Sequence, residues 1–181
     1  AVWNRWVPAL RAEGVPHVAI TLEPPFAGID SNVEAVDDAI VRATQATGLP
    51  PLVVCHSMGG LALRAWWRVH AASAASRVHG VITIGSPHQG TFTAQLANGD
   101  NARQMRRDSA WLRELSGAEA DGRQRHFTCF YSHCDNIAMP ASTGALPGAD
   151  NRHIYGTPHV ALAHATEVWA EIMRRVGPGA A

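Results

Sequence analysis

From Gly14 onward, short apolar runs take turns with amphipathic segments, a pattern that predicts strands and helices following one another in a mostly parallel sheet. Strands are expected over 17–22, 52–55, 78–84 and 126–131, with a short fifth over 152–155. Leu-Val-Val-Cys at 52–55 is nearly all apolar, as suits a strand covered on both faces. Ahead of the sheet, Trp3, Trp6 and Leu10 share one face of a helix with Pro8 in its first turn. Val33, Val36, Ile40 and Val41 recur at helical spacing behind a Ser31/Glu34 capping box, and Gly48 with Pro50 and Pro51 ends that helix. The next helix is expected over 59–72, with Leu61 and Ala65 on one face and Trp66 and Trp67 as packing. The last spans 160–176, with Val160, Val168, Ile172 and Val176 on one stripe and Gly177-Pro178-Gly179 as a fraying end.

Two stretches interrupt the alternation. Residues 89–125 are rich in Ala, Arg, Asp and Gly and carry a helix around 109–115 with Trp111, Leu112 and Leu115. They read as an excursion over the sheet edge, a cap or lid. Residues 136–151 are rich in Gly, Pro and Ala and are long for a plain connection. Together they bracket the C-terminal end of the fourth strand, the edge at which open α/β sheets take their ligands. The expected architecture is a three-layer α/β fold, with helices on both faces of the sheet and a small cap or lid insertion.

With 181 residues, 46% of them hydrophobic, the chain can bury one sizeable core, so 1–181 is expected to be a single domain. Fifteen basic residues balance fifteen acidic ones. No basic run or aromatic-interleaved Arg/Lys stripe is present to track phosphates, which argues against a nucleic-acid partner. No segment approaches the run of about 20 apolar residues of a membrane span, and none has the layout of a signal peptide. Cys55, Cys129 and Cys134 have no metal spacing and are too sparse for a disulfide framework. A Cys129–Cys134 bridge stays open, as does the cellular compartment.

Leu-Val-Val-Cys-His-Ser-Met-Gly-Gly at 52–60 carries the chemistry. A strand runs into a sharp turn with a serine at its tip and glycines behind it. This is the layout of a nucleophile elbow, whose strained backbone projects the hydroxyl from the C-terminal edge of a sheet. The helix that follows aims its first N–H groups at developing negative charge. Against the pattern G-x-S-x-G, Cys55 takes the first glycine position, Gly59 keeps the second, and Gly60 is added; cysteine is small enough for close strand–helix approach. A nucleophile at Ser57 needs a base in reach and an acid to orient that base. On such a sheet the chain order is serine, acid, histidine, each leaving the C-terminal edge of a strand. Asp135, just past the fourth strand, and His159, past the fifth, meet both conditions. Asp150 and Asp100 are rival acids, though neither follows an apolar strand. His153, His164 and His133 are rival bases; the first would point from inside a strand, and the second lies a turn into the last helix.

Cys-His-Ser-Met-Gly-Gly at 55–60, Ile-Gly-Ser-Pro-His-Gln-Gly-Thr at 84–91, Tyr-Ser-x-x-Asp at 131–135 and His159 with Val-Ala-Leu behind it carry a resemblance over nearly the whole chain. On these motifs it resembles bacterial lipases and esterases of the α/β-hydrolase superfamily. The serine motif is shared across the superfamily. The Gly-Ser-Pro-His-x-Gly-Thr block is closer to the triacylglycerol-lipase-like branch, where it marks a loop beside the nucleophile; Gly85 and Pro87 are first of all the punctuation of a turn. The resemblance implies hydrolysis of carboxylic esters through an acyl-enzyme on Ser57, with His159 as base, Asp135 orienting it, and Met58 N–H as an oxyanion donor. It implies a substrate pocket touched by His56, Pro87, His88 and Trp111. The substrate would be a small-molecule or lipid ester, with transient contact to a lipid interface, no metal and no other cofactor.

The same triad also serves acyltransferases, thioesterases and amidases, and with an impaired triad the fold can serve as a binding protein. Phe92, Leu96, Met105, Trp111, Leu112 and Leu115 in 89–125 suit medium acyl chains or a small lid and do not separate lipase from carboxylesterase. Relatives of this kind carry, ahead of the part matching 1–13, a strand ending in a His-Gly loop that supplies the second oxyanion donor. The sequence is therefore expected to be an N-terminally incomplete piece, with the strand's place between 17–22 and 52–55. One donor fewer costs about 10²–10³ in rate. Acid that protonates the base is expected to lower activity.

Overall fold

The protein is described by a computed structural model, and the described residues are 2–119 and 122–176. Gly177-Pro178-Gly179, read above as a fraying end, lie outside them. A 3-10 turn at Val2–Asn4 leads into α1 (Trp6–Ala12), with Pro8 in the first turn, where its missing N–H costs nothing. A second 3-10 turn, Ile29–Asn32, leads into α2 (Val33–Thr47), which Gly48 closes at φ 74° with its N–H on the Thr44 carbonyl. The expected capping box does not form. Asn32 precedes the helix without a side-chain cap, and the Ser31 hydroxyl donates back to the Gly28 carbonyl at 2.7 Å within the 3-10 turn.

β1 (Leu52–His56), α3 (Met58–Val69), α4 (Ala74–Arg77) and β2 (Gly80–Ile84) follow. The excursion contributes α5 (Asp100–Met105) and α6 (Ala110–Gly117) before β3 (Phe127–Tyr131) and β4 (Asp150–His153), and α7 (His159–Leu162) and α8 (Thr166–Val176) complete the described chain. The four strands are parallel in the order β1-β2-β3-β4, with Leu52 opposite Gly80, Val81 opposite Phe127 and Thr128 opposite Asp150. Strand alternation divides the core between the two faces. Val81, Phe127 and Cys129 pack with Val36 and Ile40 of α2 and Leu61, Trp66 and Trp67 of α3. Ile82, Ile84 and Phe130 pack with Trp6 of α1 and Val168 and Ile172 of α8. The result is the expected three-layer α/β arrangement.

Three expectations are corrected. Residues 15–22 form no regular element and pair with no strand among the described residues, so 17–22 is not a sheet strand. A strand exists only through its ladder, and here a groove of about 300 Å³ lined by Trp3, Val7, Pro8 and Ala19 lies between this stretch and α1. The single helix expected over 160–176 is two. Val160 sits on α7 at 60% exposure, off the buried stripe of Val168 and Ile172, because α7 is a single turn that delivers His159 to the sheet edge while α8 lies against the sheet. The last strand covers Asp150–His153 rather than 152–155.

The excursion packs down on α3 through Leu112 and Leu115, and Ser109 caps α6 by accepting Leu112 N–H at 3.1 Å. All three cysteines are free, so the bridge left open above is not made. Among the described residues, no helix is long and apolar enough to cross a membrane.

Glu171 latches α8 to the sheet. This buried carboxylate accepts from Arg174 (2.7 Å), Arg175 (2.6 Å) and Arg152 of β4 (3.0 Å), while Arg175 also reaches Thr128 of β3 at 2.7 Å. The Arg174 bond, with those of Arg175 and Arg152, outweighs burial and brings the Glu171 carboxyl from 4.5 down to about 2. A depressed carboxylate stabilises the fold above its unfolded value, so this contribution is full above pH 4.5 and is lost as the pH falls towards 2. Glu171→Gln is expected to lower the urea midpoint at neutral pH and to make progressively less difference below pH 4.5. An unchanged neutral midpoint would contradict the latch.

Candidate active site

β1 ends at His56, and Ser57 turns the chain into α3 with φ 55° and ψ −128°. Such a backbone on a residue with a Cβ costs of order 1–3 kcal/mol. It is held by Ser57 N–H on the Ile84 carbonyl at 2.9 Å, beside the end of β2. The turn requires α3 to lie close to the sheet. A Cβ on Gly60 would fall 2.3 Å from Ser86 Oγ, whereas one on Gly59 would meet only the Cys55 Cβ, at 3.6 Å. The steric demand therefore rests on Gly60, not on the Gly59 that matches the motif. Cys55 is inert packing: burial pushes its thiol up to about 12.

The parallel order sets the ends of all four strands on one edge, and the loops beyond β3 and β4 bring Asp135 and His159 together. His159 Nδ1 lies 2.8 Å from Asp135 Oδ2 and 3.0 Å from Oδ1, with the residues 4% and 6% exposed. Burial alone would raise the Asp135 carboxyl. The bond from His159 and the N–H groups of Ile137 and Ala138, both 2.8 Å from Oδ1, outweigh it and hold the carboxyl below its usual value. An ionised Asp135 only accepts, so Nδ1 carries the hydrogen and Nε2 is left as the basic nitrogen. Gly85, at φ 56°, backs onto the pair: a Cβ there would lie 3.0 Å from Asp135 Oδ2 and 3.1 Å from His159 Nδ1. Ile84 and Gly85 thus touch Ser57 on one side and the acid–base pair on the other. Among the described residues no hydrogen bond joins Ser57 Oγ to His159, a contact that often tightens only when substrate binds.

The remaining candidates divide. His56 reaches the site, its ring centred 4.7 Å from that of His159 and its Nε2–H donating to the His159 carbonyl at 3.2 Å. Burial and the neighbouring His159 lower the His56 imidazole from its ordinary value, against its bond to that carbonyl and the Asp135 charge, which favour the proton. Met58 is the first residue of α3, where a backbone N–H has no intrahelical acceptor.

The structure does not bring Pro87 or His88 to a surface that substrate can reach. His88 is 1% exposed, with Nε2 2.9 Å from Thr83 Oγ1, and burial, with Arg64 nearby, lowers its imidazole well below the ordinary value. Its carbonyl accepts from Arg64 Nη1 at 2.7 Å, and Arg64 forms a buried bidentate pair with Glu119, both bonds 2.7 Å. Trp111 is tied to Asp30 by its indole N–H at 2.7 Å and packs on the α2–α3 face. The rival bases fall elsewhere: His133 N–H donates to His153 Nε2 at 3.2 Å, and His164 Nδ1 accepts from Trp6 at 3.2 Å. Sequence reasoning missed Asn136, whose Oδ1 accepts His159 N–H at 3.4 Å, and the use of 136–151 to wrap the acid. The unusual length of that loop was the available signal.

Among the described residues, no group of three or more His, Cys, Asp or Glu side chains is placed to hold a metal ion. The fold is similar to that of the mature form of lipase BlEst2 from Bacillus licheniformis, with TM-score 0.69 and 15% identity over 85% of this chain and 76% of that one. It is similar also to lipase B of Aspergillus fumigatus (0.68, 21% identity, 85% of this chain and 44% of that one) and to a monoacylglycerol lipase of Paleococcus ferrophilus (0.54, 13%, 87% and 80%). The chain spans less than half the length of the Aspergillus lipase. Elbow, strand order and these likenesses together define an α/β-hydrolase-like fold. The sequence pattern of the palmitoyl protein thioesterase family matches residues 23–135, more than half of the chain, which therefore belongs to that family. No curated protein matches the sequence.

Gly85→Ala puts a side chain at positive φ and against the acid–base pair, so it is expected to cost about 1 kcal/mol or more in stability. It should also abolish the low-field proton resonance of the His159 Nδ1–H bond. Retention of that resonance with wild-type stability would contradict the packing described.

Proposed function

We propose that this chain is a serine hydrolase that transfers an acyl group from an ester to water through an acyl-enzyme on Ser57. The observation that carries the reading is the buried His159–Asp135 hydrogen bond at 2.8 Å, at the same sheet edge as the strained Ser57. His159 Nε2 takes the Ser57 proton as Oγ adds to the acyl carbonyl, and Asp135 stabilises the imidazolium that forms. Met58 N–H donates to the oxyanion. The imidazolium returns the proton to the leaving group, and water then releases the acid from Ser57 by the same steps.

The rim supports an acyl substrate. Ile137 and Met139 follow Asp135 and Val160 follows His159; all three are exposed, and exposed Phe92 is bonded by its N–H to the Met139 carbonyl at 2.9 Å. Solvent-facing apolar side chains on both loops that carry the chemistry offer a surface for a hydrocarbon chain. A second reading, a thioester as the scissile bond, is favoured by the name of the matching family, palmitoyl protein thioesterase. The triad is unchanged by that choice, since only the leaving group differs.

A fluorophosphonate reagent is expected to label the chain at Ser57. Ser57→Ala should abolish labelling and lower hydrolysis of p-nitrophenyl acyl esters by about 10⁴-fold or more without loss of fold. Paired oxygen esters and thioesters of the same acyl group distinguish the two readings by their kcat/KM. Retained turnover in Ser57→Ala would overturn both.

A further inference from the structure

Asp135 and His159 lie in two separate loops, and a hydrogen bond between them fixes their distance but not how the imidazole faces Ser57. The last backbone rung between the strands that carry them is Ile154 N–H on the Tyr131 carbonyl, 2.8 Å. Just past that rung stands Ser132, completely buried. Its Oγ accepts two backbone N–H groups, Cys134 of the acid loop at 3.1 Å and Thr157 of the base loop at 3.2 Å, and its carbonyl accepts Asp135 N–H at 3.1 Å. The bond to Cys134 is a local turn bond of a kind that serine commonly makes. The bond to Thr157 crosses 25 residues of chain and has no such local origin.

We propose that Ser132 is a positioning residue for the reaction, a hydroxyl clamp that locks the acid loop to the base loop and thereby sets the attitude of His159 towards Ser57. The inference rests on the triad reading above. Through one oxygen, Ser132 fixes residue 134 beside the acid and residue 157, two before the base. A completely buried oxygen has no water beside it to take over when it is lost, so both N–H groups would lose their acceptor together. The base loop is then held to the acid loop by the acid–base bond itself and by Asn136 Oδ1 on His159 N–H at 3.4 Å. Small displacements matter at this point, because a 1 Å error in a catalytic group can cost about 10²-fold in rate.

The test compares Ser132→Ala and Ser132→Cys, the latter keeping a side-chain acceptor, though a weaker and bulkier one, in the unaltered chain and in a His159→Ala background. Ser132→Ala is expected to lower kcat on a p-nitrophenyl ester by about 10- to 100-fold with KM little changed, and Ser132→Cys by less. In the His159→Ala background neither change should lower the residual rate further, because a residue acting through His159 has nothing left to act on. Amide hydrogen exchange at Cys134 and Thr157 should accelerate in Ser132→Ala while the β3 and β4 amides stay protected.

Unchanged exchange at Thr157, or an equal fractional loss of rate in both backgrounds, would overturn the clamp. Exchange reads the clamp without turnover. A chain that binds no fluorophosphonate therefore counts against the triad, whereas intact exchange in Ser132→Ala counts against Ser132.

Discussion

The hydrogen bond from His159 Nδ1 to Asp135 is the contact on which the rest of the site depends, and its surroundings are arranged for it. Taking a carboxylate out of water is costly unless donors replace the water. Here three do: the imidazole and the N–H groups of Ile137 and Ala138. A side chain at residue 85 would press on the pair, with a Cβ 3.0 Å from Asp135 Oδ2 and 3.1 Å from His159 Nδ1. The parallel order β1-β2-β3-β4 then brings the pair next to the serine turn, since each strand ends on the same edge as its neighbour. Local strain at Ser57, a vacancy at Gly85 and a satisfied buried charge are parts of one arrangement.

Behind that edge lies a buried polar frame that explains the Gly-Ser-Pro-His-Gln-Gly-Thr block. Arg64 of α3 holds the His88 carbonyl and pairs with Glu119 beyond α6, so α3, the block and the excursion are joined at one guanidinium. Removing one partner of such a buried pair typically costs about 3–5 kcal/mol, because the other charge is left uncompensated. From the block, Thr91 Oγ1 donates to the Ile137 carbonyl at 2.7 Å and accepts Met139 N–H at 2.9 Å, while Gln89 N–H reaches Thr143. The loop that wraps Asp135 is thus fastened to the block, and the block to the helix that follows Ser57. The proposed Ser132 clamp would add the remaining connection, from acid loop to base loop.

Much of this was legible in the chain. Apolar runs at 52–55, 78–84 and 126–131 gave three strands, and the spacing of Val36, Ile40, Leu61 and Ala65 gave the covering helices, because these elements bury continuous apolar faces. Asp135 and His159 were preferred over two aspartate and three histidine rivals by chain order and by their places just past strands, and the structure sets the two within hydrogen-bond distance. What failed depended on long-range geometry. Residues 17–22 look like a strand but have no ladder partner among the described residues. Val160 fits the stripe of α8 yet belongs to a separate turn, whose direction is set by where His159 must go. His88 sits in a motif beside the serine, but its ring points into a polar core that only the packing of Thr83, Cys129 and Arg64 defines. Gly85 read as turn punctuation and Ser132 only as a member of the Tyr-Ser-x-x-Asp motif, since what they touch is distant in sequence.

The most direct test of the account is a crystal structure of the chain after reaction with an alkyl phosphonate, which mimics the tetrahedral stage of acyl transfer. The account predicts phosphorus bonded to Ser57 Oγ, His159 Nε2 in hydrogen-bond contact with that oxygen, Nδ1 still on Asp135, and a phosphonyl oxygen on Met58 N–H. Phosphorus on another residue would contradict it, as would an adduct on Ser57 with the His159 ring held by Asp135 but out of contact with the serine oxygen.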